Sequence, residues 1–416
     1  QITPPHDHGI MAEVEAVTDY ANVKTMELKE AKAAGLYEAI GKEIDDAYME
    51  ALKKQVIHQD AIDAMNKELK IVYSPLHGTG NVPVRRVLKE LGFENIYVVK
   101  EQELPDGDFP TVSYPNPEAK EAFELGLKLA KEVDADLVLA TDPDADRLGV
   151  YVKDSKSGEY QVLTGNMSGC LLADYEISQR KATKGLPDDG CLVKSIVTSN
   201  MADAIAKAYD VRLIEVLTGF KFIGQQILEF EKTGKGTYLF GFEESYGCLI
   251  GTYARDKDAI VASMALCEAA AYYKTLGKTL WDAMIDLFEK YGYYKDDIQS
   301  ITLKGIEGLA KIQQILETLR KEPPVSFGEY KVLKARDYKA DTIQDLATGE
   351  VTSTGLPKSN VLYYDLTDDA WICVRPSGTE PKVKFYYGVK GVSLEDAKLK
   401  SEKLGKFVLE MIDKML

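Results

Sequence analysis

The feature that most constrains this chain is the way short β-rich runs hand over directly to helical ones. "KIVYSPLHGTG" (70–80) is a β-rich run ending in a glycine turn, the helical "NVPVRRVLKELG" (81–92) follows it, and a second strand, "NIYVV" (95–99), comes next. A further helix, "PEAKEAFELGLKLAKEV" (117–133), leads into the apolar strand "ADLVLATD" (135–142). Strand–helix–strand order with apolar strands predicts a parallel or mixed sheet covered by helices. A second unit repeats the pattern: helix "GNMSGCLLADYEISQRK", strands "CLVKSIVTS", "VRLIEVLT" and "GTYLFGFEES", and helix "DAIVASMALCEAAAYYKTLG". The two units read as distant copies of one design.

After about residue 296 the character changes. "IQSITLKG", "YKVLKARDY", "SNVLYYDLTD", "AWICVRPSG" and "KVKFYYGVK" read as antiparallel strands, with helices at about 306–320 and 393–414. Ser393 and Asp396 form a capping-box pattern at the start of the last helix. The expected fold class is therefore α/β: two similar mixed-sheet α/β domains followed by a C-terminal α+β domain. A length of 416 residues fits about three domains. Residues 11–70, rich in Ala, Glu and Lys, read as helical.

The formal net charge of −16 argues against a nucleic-acid partner, which needs basic patches to displace counterions. It leaves anionic small substrates open, because these respond to the local field of a cleft. Cysteines 170, 191, 248, 267 and 373 are scattered without CxxC spacing, which reads as reduced core thiols in a cytoplasmic protein. The apolar run "AIVASMALCEAAAYY" contains Glu268 and is short for a membrane span, so a buried helix is expected and no membrane partner. The chain opens with "QITPPHDHGI" and not with Met, and reads as beginning partway through a longer protein.

"TDPDADR" sets Asp142, Asp144 and Asp146 at alternate positions with Arg147 behind them. Pro143 forbids a continuous helix, and in an extended segment the three carboxylates point to one face. Oxygen-only ligands suit a hard cation, Mg²⁺ before Mn²⁺ or Ca²⁺. The plain alternative is a solvated acidic turn, but the end of a buried strand is where α/β sites sit. An EF-hand loop fails, since it needs Gly at Arg147 and Glu at Lys153. A haloacid-dehalogenase-type phosphatase, with Asp142 as nucleophile, survives this local test. Arg147 favours a phosphorylated ligand, because a guanidinium takes phosphate oxygens bidentately.

In "VRPSGTEP", Arg375 leaves a strand into a turn where backbone N–H groups, Ser377, Gly378 and Thr379 can face one anion. In "GFEES", Glu243 and Ser245 share a face of an alternating run and suit vicinal hydroxyls. "LTGFKF" offers a glycine turn with Thr218 and Lys221. Lys194, inside the apolar "LVKS", needs a partner if buried; it reads as a general acid or phosphate ligand, or else as an edge-strand lysine. "SPLHGTG" offers backbone N–H groups and His77 to a phosphate, though a lone His beside a turn is more often structural.

Taken in order, "TDPDADR", "LTGFKF", "GFEES", "ARDKD" and "RPSGTEP" resemble the α-D-phosphohexomutase superfamily, closest to bacterial phosphoglucomutases and phosphomannomutases, over essentially the whole chain. The resemblance implies four domains in the family, three α/β and a last one of TATA-box-binding-protein-like topology. This chain would hold a remnant of domain one (1–15), domain two (16–163), domain three (164–296) and domain four (297–416). By the same resemblance Asp142, Asp144 and Asp146 bind Mg²⁺ and Arg147 contacts the reacting phosphate. Lys194 acts as acid/base. Thr218 and Gly219, with Lys221 nearby, recognise the sugar, and Glu243 and Ser245 contact its hydroxyls. Arg375, Ser377, Gly378 and Thr379 clamp the non-transferred phosphate.

The implied reaction interconverts glucose 1-phosphate and glucose 6-phosphate through glucose 1,6-bisphosphate. Phosphomannomutase or phosphopentomutase activity, and a non-catalytic phosphosugar- or metal-binding role, stand as alternatives. Two departures bear on sugar preference: Phe220 stands where some relatives carry His, and Tyr246–Gly247 where others have Gly-His. A larger one concerns the nucleophile. The family's phosphoserine lies in a Ser-His-Asn-Pro segment, and no such segment occurs here. The expected partner is therefore the missing N-terminal domain of the same protein, and this chain by itself is expected to be inactive.

Overall fold

The computed structural model describes residues 2, 5–303, 305–377 and 381–415, so Gly378 and Thr379 lie outside the described residues. The first sheet runs in the order Asn95–Val98, Lys70–Ser74, Leu137–Thr141, Leu148–Lys153, Tyr160–Leu163. Its first three strands are parallel, Leu148–Lys153 runs antiparallel to them, and Tyr160–Leu163 pairs antiparallel with Leu148–Lys153. The second sheet has the order Arg212–Val216, Gly190–Ser195, Thr237–Phe242, Cys248–Ile250, again three parallel strands followed by an antiparallel one. Corresponding strands thus occupy corresponding places, as two copies of one design require.

Both sheets share one hydrophobic core. Helices Gly165–Thr183, Ala259–Thr275 and Leu280–Tyr291 contribute to it together with Ile71 and Leu139 of the first sheet and Phe240 and Phe242 of the second. Each helix starts at a defined cap. Thr164 accepts from Met167 N, Asp258 accepts from Ile260 N and Val261 N, and Thr279 with Asp282 forms a capping box. Such a cap contributes about 1 kcal/mol.

The Ala259–Thr275 helix is buried from Ala259 to Ala271, and no helix among the described residues is long and apolar enough to cross a membrane. Its Glu268, fully buried, accepts from Ile57 N, His58 N and the Tyr175 hydroxyl, which anchors the segment leading into the Gln59–Met65 helix. The cysteines are free and buried.

The C-terminal sheet is antiparallel. It is ordered Tyr293–Thr302, Lys382–Gly391, Trp371–Pro376, Leu362–Leu366, Tyr330–Asp337, Thr342–Asp345, Val351–Thr352, and Ser326–Phe327 adds a hairpin. It begins at Tyr293, ahead of the boundary expected at 297. Helices Gly305–Lys321 and Leu394–Met415 cover one face, where Ile372, Val374 and Phe385 meet Ile315, Leu404 and Val408. The alternate residues Tyr363, Trp371, Cys373 and Tyr386 face the other way, onto Ile196, Val197 and Leu217 of the second sheet's unit. Burial of both faces explains why "AWICV" reads as a continuous apolar run. Asp396 N donates to Ser393 Oγ at 3.1 Å, but the Asp396 carboxylate accepts from Val392 N and not from Ser393 N, so the capping box is only half formed.

The N-terminal stretch is helical in part, at His6–Glu15 and Leu28–Ala33, and neither helix buries a residue. Helical packing starts with Lys42–Lys53, which buries Met49 and Leu52.

Candidate active site

The acidic loop connects the antiparallel strands Leu137–Thr141 and Leu148–Lys153. Asp142 organises it: one carboxylate oxygen accepts from Asp146 N at 3.0 Å and Arg147 N at 2.9 Å, while its carbonyl accepts from Ala145 N at 3.0 Å. Ala145 adopts a left-handed φ of 58°, which turns Asp146 back toward Asp142. One oxygen from each of Asp142, Asp144 and Asp146 lies within 4.8 Å of the others. Three convergent carboxylate oxygens and no nitrogen or sulfur fit a hard divalent cation.

Burial, with the charges of Asp146 and Asp144 adding to it, pushes the Asp142 carboxyl up to about 7, against the backbone N–H of Arg147. Arg147 Nε stands 3.8 Å from Asp142 and 3.7 Å from Asp146, buried and with no hydrogen-bond acceptor. A buried cationic donor beside an oxygen-ligand cluster fits an anion carried between cation and guanidinium.

The first glycine turn, "SPLHGTG", is not a phosphate cradle. Three of its N–H groups are taken by protein acceptors: His77 N donates to Gln102 O, Gly78 N to Pro75 O and Thr79 N to Pro143 O. His77 is buried between Leu104 O and Thr111 Oγ1. The turn buttresses the acidic loop instead, since Thr79 donates to Pro143 O from both N (2.8 Å) and Oγ1 (3.0 Å).

"GFEES" occupies the same place in the second sheet that the acidic loop occupies in the first, and the two loops touch. Leu148 N donates to Tyr246 O at 3.0 Å, and Ala259 N, at the start of the helix Ala259–Thr275, donates to Ala145 O at 3.1 Å. The sharing of one face by Glu243 and Ser245 does not hold. The strand ends at Phe242 and the chain turns, with Tyr246 at φ 69°, so alternation stops before it reaches Ser245. Glu243 is buried and accepts from Gly219 N at 2.9 Å; it fixes the Thr218–Gly219 turn, where Gly219 has φ 116° and the Phe220–Thr233 helix starts. Burial raises the Glu243 pKa despite Lys257 nearby.

Glu244 and Ser245 instead line a cleft of about 270 Å³. Its other walls include Thr164 and Asn166 at a helix N-terminus and Trp371, Lys384 and Tyr386 of the C-terminal sheet. Glu244 accepts from Ser195 Oγ at 3.1 Å; burial and the charge of Glu243 push it up to about 7, and Arg375 pulls the other way.

Arg375 is half-buried on the strand Trp371–Pro376, and Ser377 N donates to Lys382 O at 2.7 Å. Lys221 is half-exposed, 3.4 Å from Asp7 of the N-terminal helix and over the Phe222 ring.

Lys194 is not brought to the acidic loop. It stands on the central strand of its sheet, not at an edge, and is fully buried. Its ammonium donates to Asp203, Asn200 Oδ1 (3.3 Å) and the carbonyls of Thr198 and Ser199, with Glu215 at 3.6 Å. Burial opposes the charge, yet Asp203 and Glu215 outweigh it and raise the pKa, which is the wrong direction for a proton donor.

The cation that does reach the loop is Lys257, within "ARDKD". Its Nζ lies 2.8 Å from Asp146 Oδ2, and its stem crosses Gly247, where a Cβ would come within 2.2 Å of the lysine Cδ. The sequence signal for it is a lysine flanked by two aspartates ahead of a capped helix.

Known proteins align with this arrangement over most of its length. The family model of the phosphoglucomutase/phosphomannomutase α/β/α domain II matches residues 46–158, that of domain III residues 164–291, and that of the C-terminal domain residues 332–400. A phosphoglucomutase of Staphylococcus saprophyticus is 33% identical over 399 residues, covering 95% of this chain and 70% of the relative. One of Staphylococcus epidermidis is 38% identical over 331 residues, covering 79% of this chain and 59% of the relative. The chain thus spans between 59% and 70% of the length of these relatives. Among solved structures, pp63/parafusin from Paramecium, a phosphoglucomutase, superposes with a TM-score of 0.64 at 18% identity, covering 89% of this chain and 62% of that one. A phosphoglucomutase/phosphomannomutase family protein of Burkholderia thailandensis gives 0.54 at 16%, with 89% and 65% covered. The chain belongs to the phosphoglucomutase/phosphomannomutase family of the α-D-phosphohexomutase superfamily.

Proposed function

We propose that this chain carries the metal, sugar and phosphate-clamp parts of a cytoplasmic phosphoglucomutase, which interconverts glucose 1-phosphate and glucose 6-phosphate. The observation that carries the reading is the acidic triplet, converging within 4.8 Å beside the acceptor-free Arg147 Nε, on a loop hydrogen-bonded to the "GFEES" loop. In this reading the domains are 16–163, 164–292 and 293–416, the last limit moved from 297 because the first strand of the C-terminal sheet starts at Tyr293.

In this reading a phosphoserine on a segment outside this sequence donates its phosphoryl group to the free hydroxyl of the hexose phosphate. The serine hydroxyl is left behind, and glucose 1,6-bisphosphate forms. The bisphosphate turns end for end and returns its other phosphoryl to the serine. Asp142, Asp144 and Asp146 would hold Mg²⁺, which supplies charge neutralisation at the transferring phosphoryl. Arg147 takes its oxygens, with Nε already desolvated for that role. Glu243 holds the Thr218–Gly219 turn against the sugar, and Ser245 and Glu244 offer hydroxyl partners in the cleft. Arg375, with Ser377, Gly378 and Thr379, grips the phosphate that is not being transferred. Lys257 keeps Asp146 in place, and against the cost of burial its neighbours Asp146 and Asp256 hold it charged.

The test is to add glucose 1-phosphate, Mg²⁺ and catalytic glucose 1,6-bisphosphate to the 416-residue chain. Binding by calorimetry without conversion by ³¹P NMR is expected. Conversion would overturn the placement of the phosphoryl carrier, and absence of binding would overturn the site.

A further inference from the structure

Glu215 stands on the edge strand Arg212–Val216, three residues before Thr218, and its carboxylate is shared between two cations. One oxygen lies 3.6 Å from the ammonium of Lys194, its register partner on the central strand. The other accepts from Arg336 Nη1 of the C-terminal sheet at 3.1 Å. Arg336 also binds Asp365 through Nε (2.8 Å) and Nη2, and its guanidinium lies over the Tyr363 ring, 4.6 Å from the centroid. Tyr363 stacks on Trp371 with centroids 5.5 Å apart and planes 4° from parallel. Trp371 opens the strand that carries Arg375. A continuous packed path therefore joins the strand before the Thr218–Gly219 turn to the strand before the Arg375 turn. Lys194 (0% exposed), Tyr363 and Trp371 (2%) are buried, while the side chains of Glu215 and Arg336 between them stay partly exposed, at 28% and 20%.

The apolar seam beside this path, Ile196, Val197 and Leu217 against Tyr363, Trp371 and Cys373, is non-directional and tolerates sliding. A partly buried, directional charge pair resists such sliding, because it is screened less by salt than an exposed one and its hydrogen bond holds only in one geometry.

We propose that the Glu215–Arg336 pair is a ruler: it sets the separation between the Thr218–Gly219 turn and the Arg375 turn, and so selects the length of phosphosugar held at both ends. The proposal rests on the reading that those turns grip the sugar and its non-transferred phosphate. Glu215 and Arg336 are positioning residues, and neither lines the cleft. Lys194 anchors the ruler in the second sheet, and this gives a fully buried lysine its purpose.

The test uses Glu215→Gln and Arg336→Gln, singly and together, with Arg375→Ala as the control. Each is titrated calorimetrically with glucose 6-phosphate, ribose 5-phosphate and inorganic phosphate. Glu215→Gln leaves Lys194 its Asp203 partner, and Arg336→Gln leaves Lys194 both of its carboxylates, so one folded variant suffices. Each single variant is expected to lose about tenfold in affinity for the better-bound sugar phosphate, within the range of coupled pairs. The ratio between the hexose and pentose phosphates moves toward one, inorganic phosphate binds as before, and the double variant is no weaker than either single. An unchanged ratio, an equal loss for all three ligands, or no preference in the parent chain overturns the ruler. If Arg375→Ala binds sugar phosphate like the parent, the clamp reading fails instead. If it abolishes binding while both Gln variants behave as the parent, the clamp stands and the ruler falls.

Discussion

Replacing Gly78 by alanine tests whether the acidic loop owes its shape to the turn beneath it. A Cβ at Gly78 would lie 2.4 Å from Pro143 Cα, 2.6 Å from its carbonyl oxygen and 2.8 Å from its carbonyl carbon. Carbon atoms rest about 3.5 Å or more apart, so the loop must retreat by about 1 Å. Nothing soft absorbs the clash, because all three atoms are backbone, the proline ring locks φ, and Thr79 holds the same carbonyl by two hydrogen bonds. Gly78 has no positive φ, so alanine meets no backbone strain of its own.

Overpacking of this kind destabilises by about 1–3 kcal/mol. Alanine recovers about 0.4–1 kcal/mol by stiffening the unfolded chain, which leaves a modest net loss. The effect on cation binding is larger, since Asp142 and Asp144 flank the displaced proline and metal–ligand distances tolerate about 0.2 Å. Loss of supporting contacts of this type typically lowers metal affinity by about 10–100-fold. Calorimetric titration with Mg²⁺, alongside thermal unfolding by circular dichroism, is the assay. The expected result is a fall of at least about tenfold in Mg²⁺ affinity with only a small drop in midpoint. Parent-like Mg²⁺ affinity in a folded variant would refute the argument, because the carboxylates would then hold their geometry without the turn.

Asp142→Asn keeps an oxygen for the N–H groups of Asp146 and Arg147, so the chain should fold while Mg²⁺ affinity falls by about 100-fold; titration calorimetry and circular dichroism check both halves. Arg147→Met should weaken glucose 1-phosphate binding by about 10–100-fold, the worth of a charged hydrogen bond, with Mg²⁺ binding retained. Glu176 is 1% exposed, and burial, only partly offset by Arg180, pushes its carboxyl up to about 7 from 4.5. Between those values the folded chain holds a proton that the unfolded chain has released, so stability falls as pH rises from 4.5 to 7, by up to about 3 kcal/mol. Glu176→Gln lacks this dependence and should gain on the parent in thermal midpoint across that window; parallel pH profiles would contradict the assignment.

The β–α alternation is legible because its central strands are continuous apolar runs and several of its helices amphipathic, while the Ala259–Thr275 helix, buried from Ala259 to Ala271, announces itself as an apolar run. The acidic loop is legible for a related reason, since all three ligands come from one short stretch, although a turn with Ala145 at φ 58°, not the expected extended alternation, brings them together. The setting of Lys194 is not legible, because its partners Asp203 and Glu215 come from the next helix and the neighbouring strand, and no local pattern announces them. Strand alternation would put Glu243 and Ser245 on one face, but the strand ends at Phe242 and the chain turns there. Lys257 reaches Asp146 across the boundary between two sheets, a contact that only folding creates. In the N-terminal stretch helical spacing was read correctly in part, but spacing alone says nothing of what a helix packs against.

The five buried thiols give the protein a built-in clock. Burial raises the pKa of each, so none offers a thiolate to an alkylating reagent while its surroundings stay closed. Cys170, Cys191, Cys248 and Cys267 lie in the two α/β units, whereas Cys373 lies on the Arg375 strand in the seam against Ile196 and Leu217. Alkylation of Cys373 ahead of the other four would show that the seam between the C-terminal sheet and its neighbour opens before the α/β units do. Simultaneous alkylation of all five would time the unfolding of the whole chain.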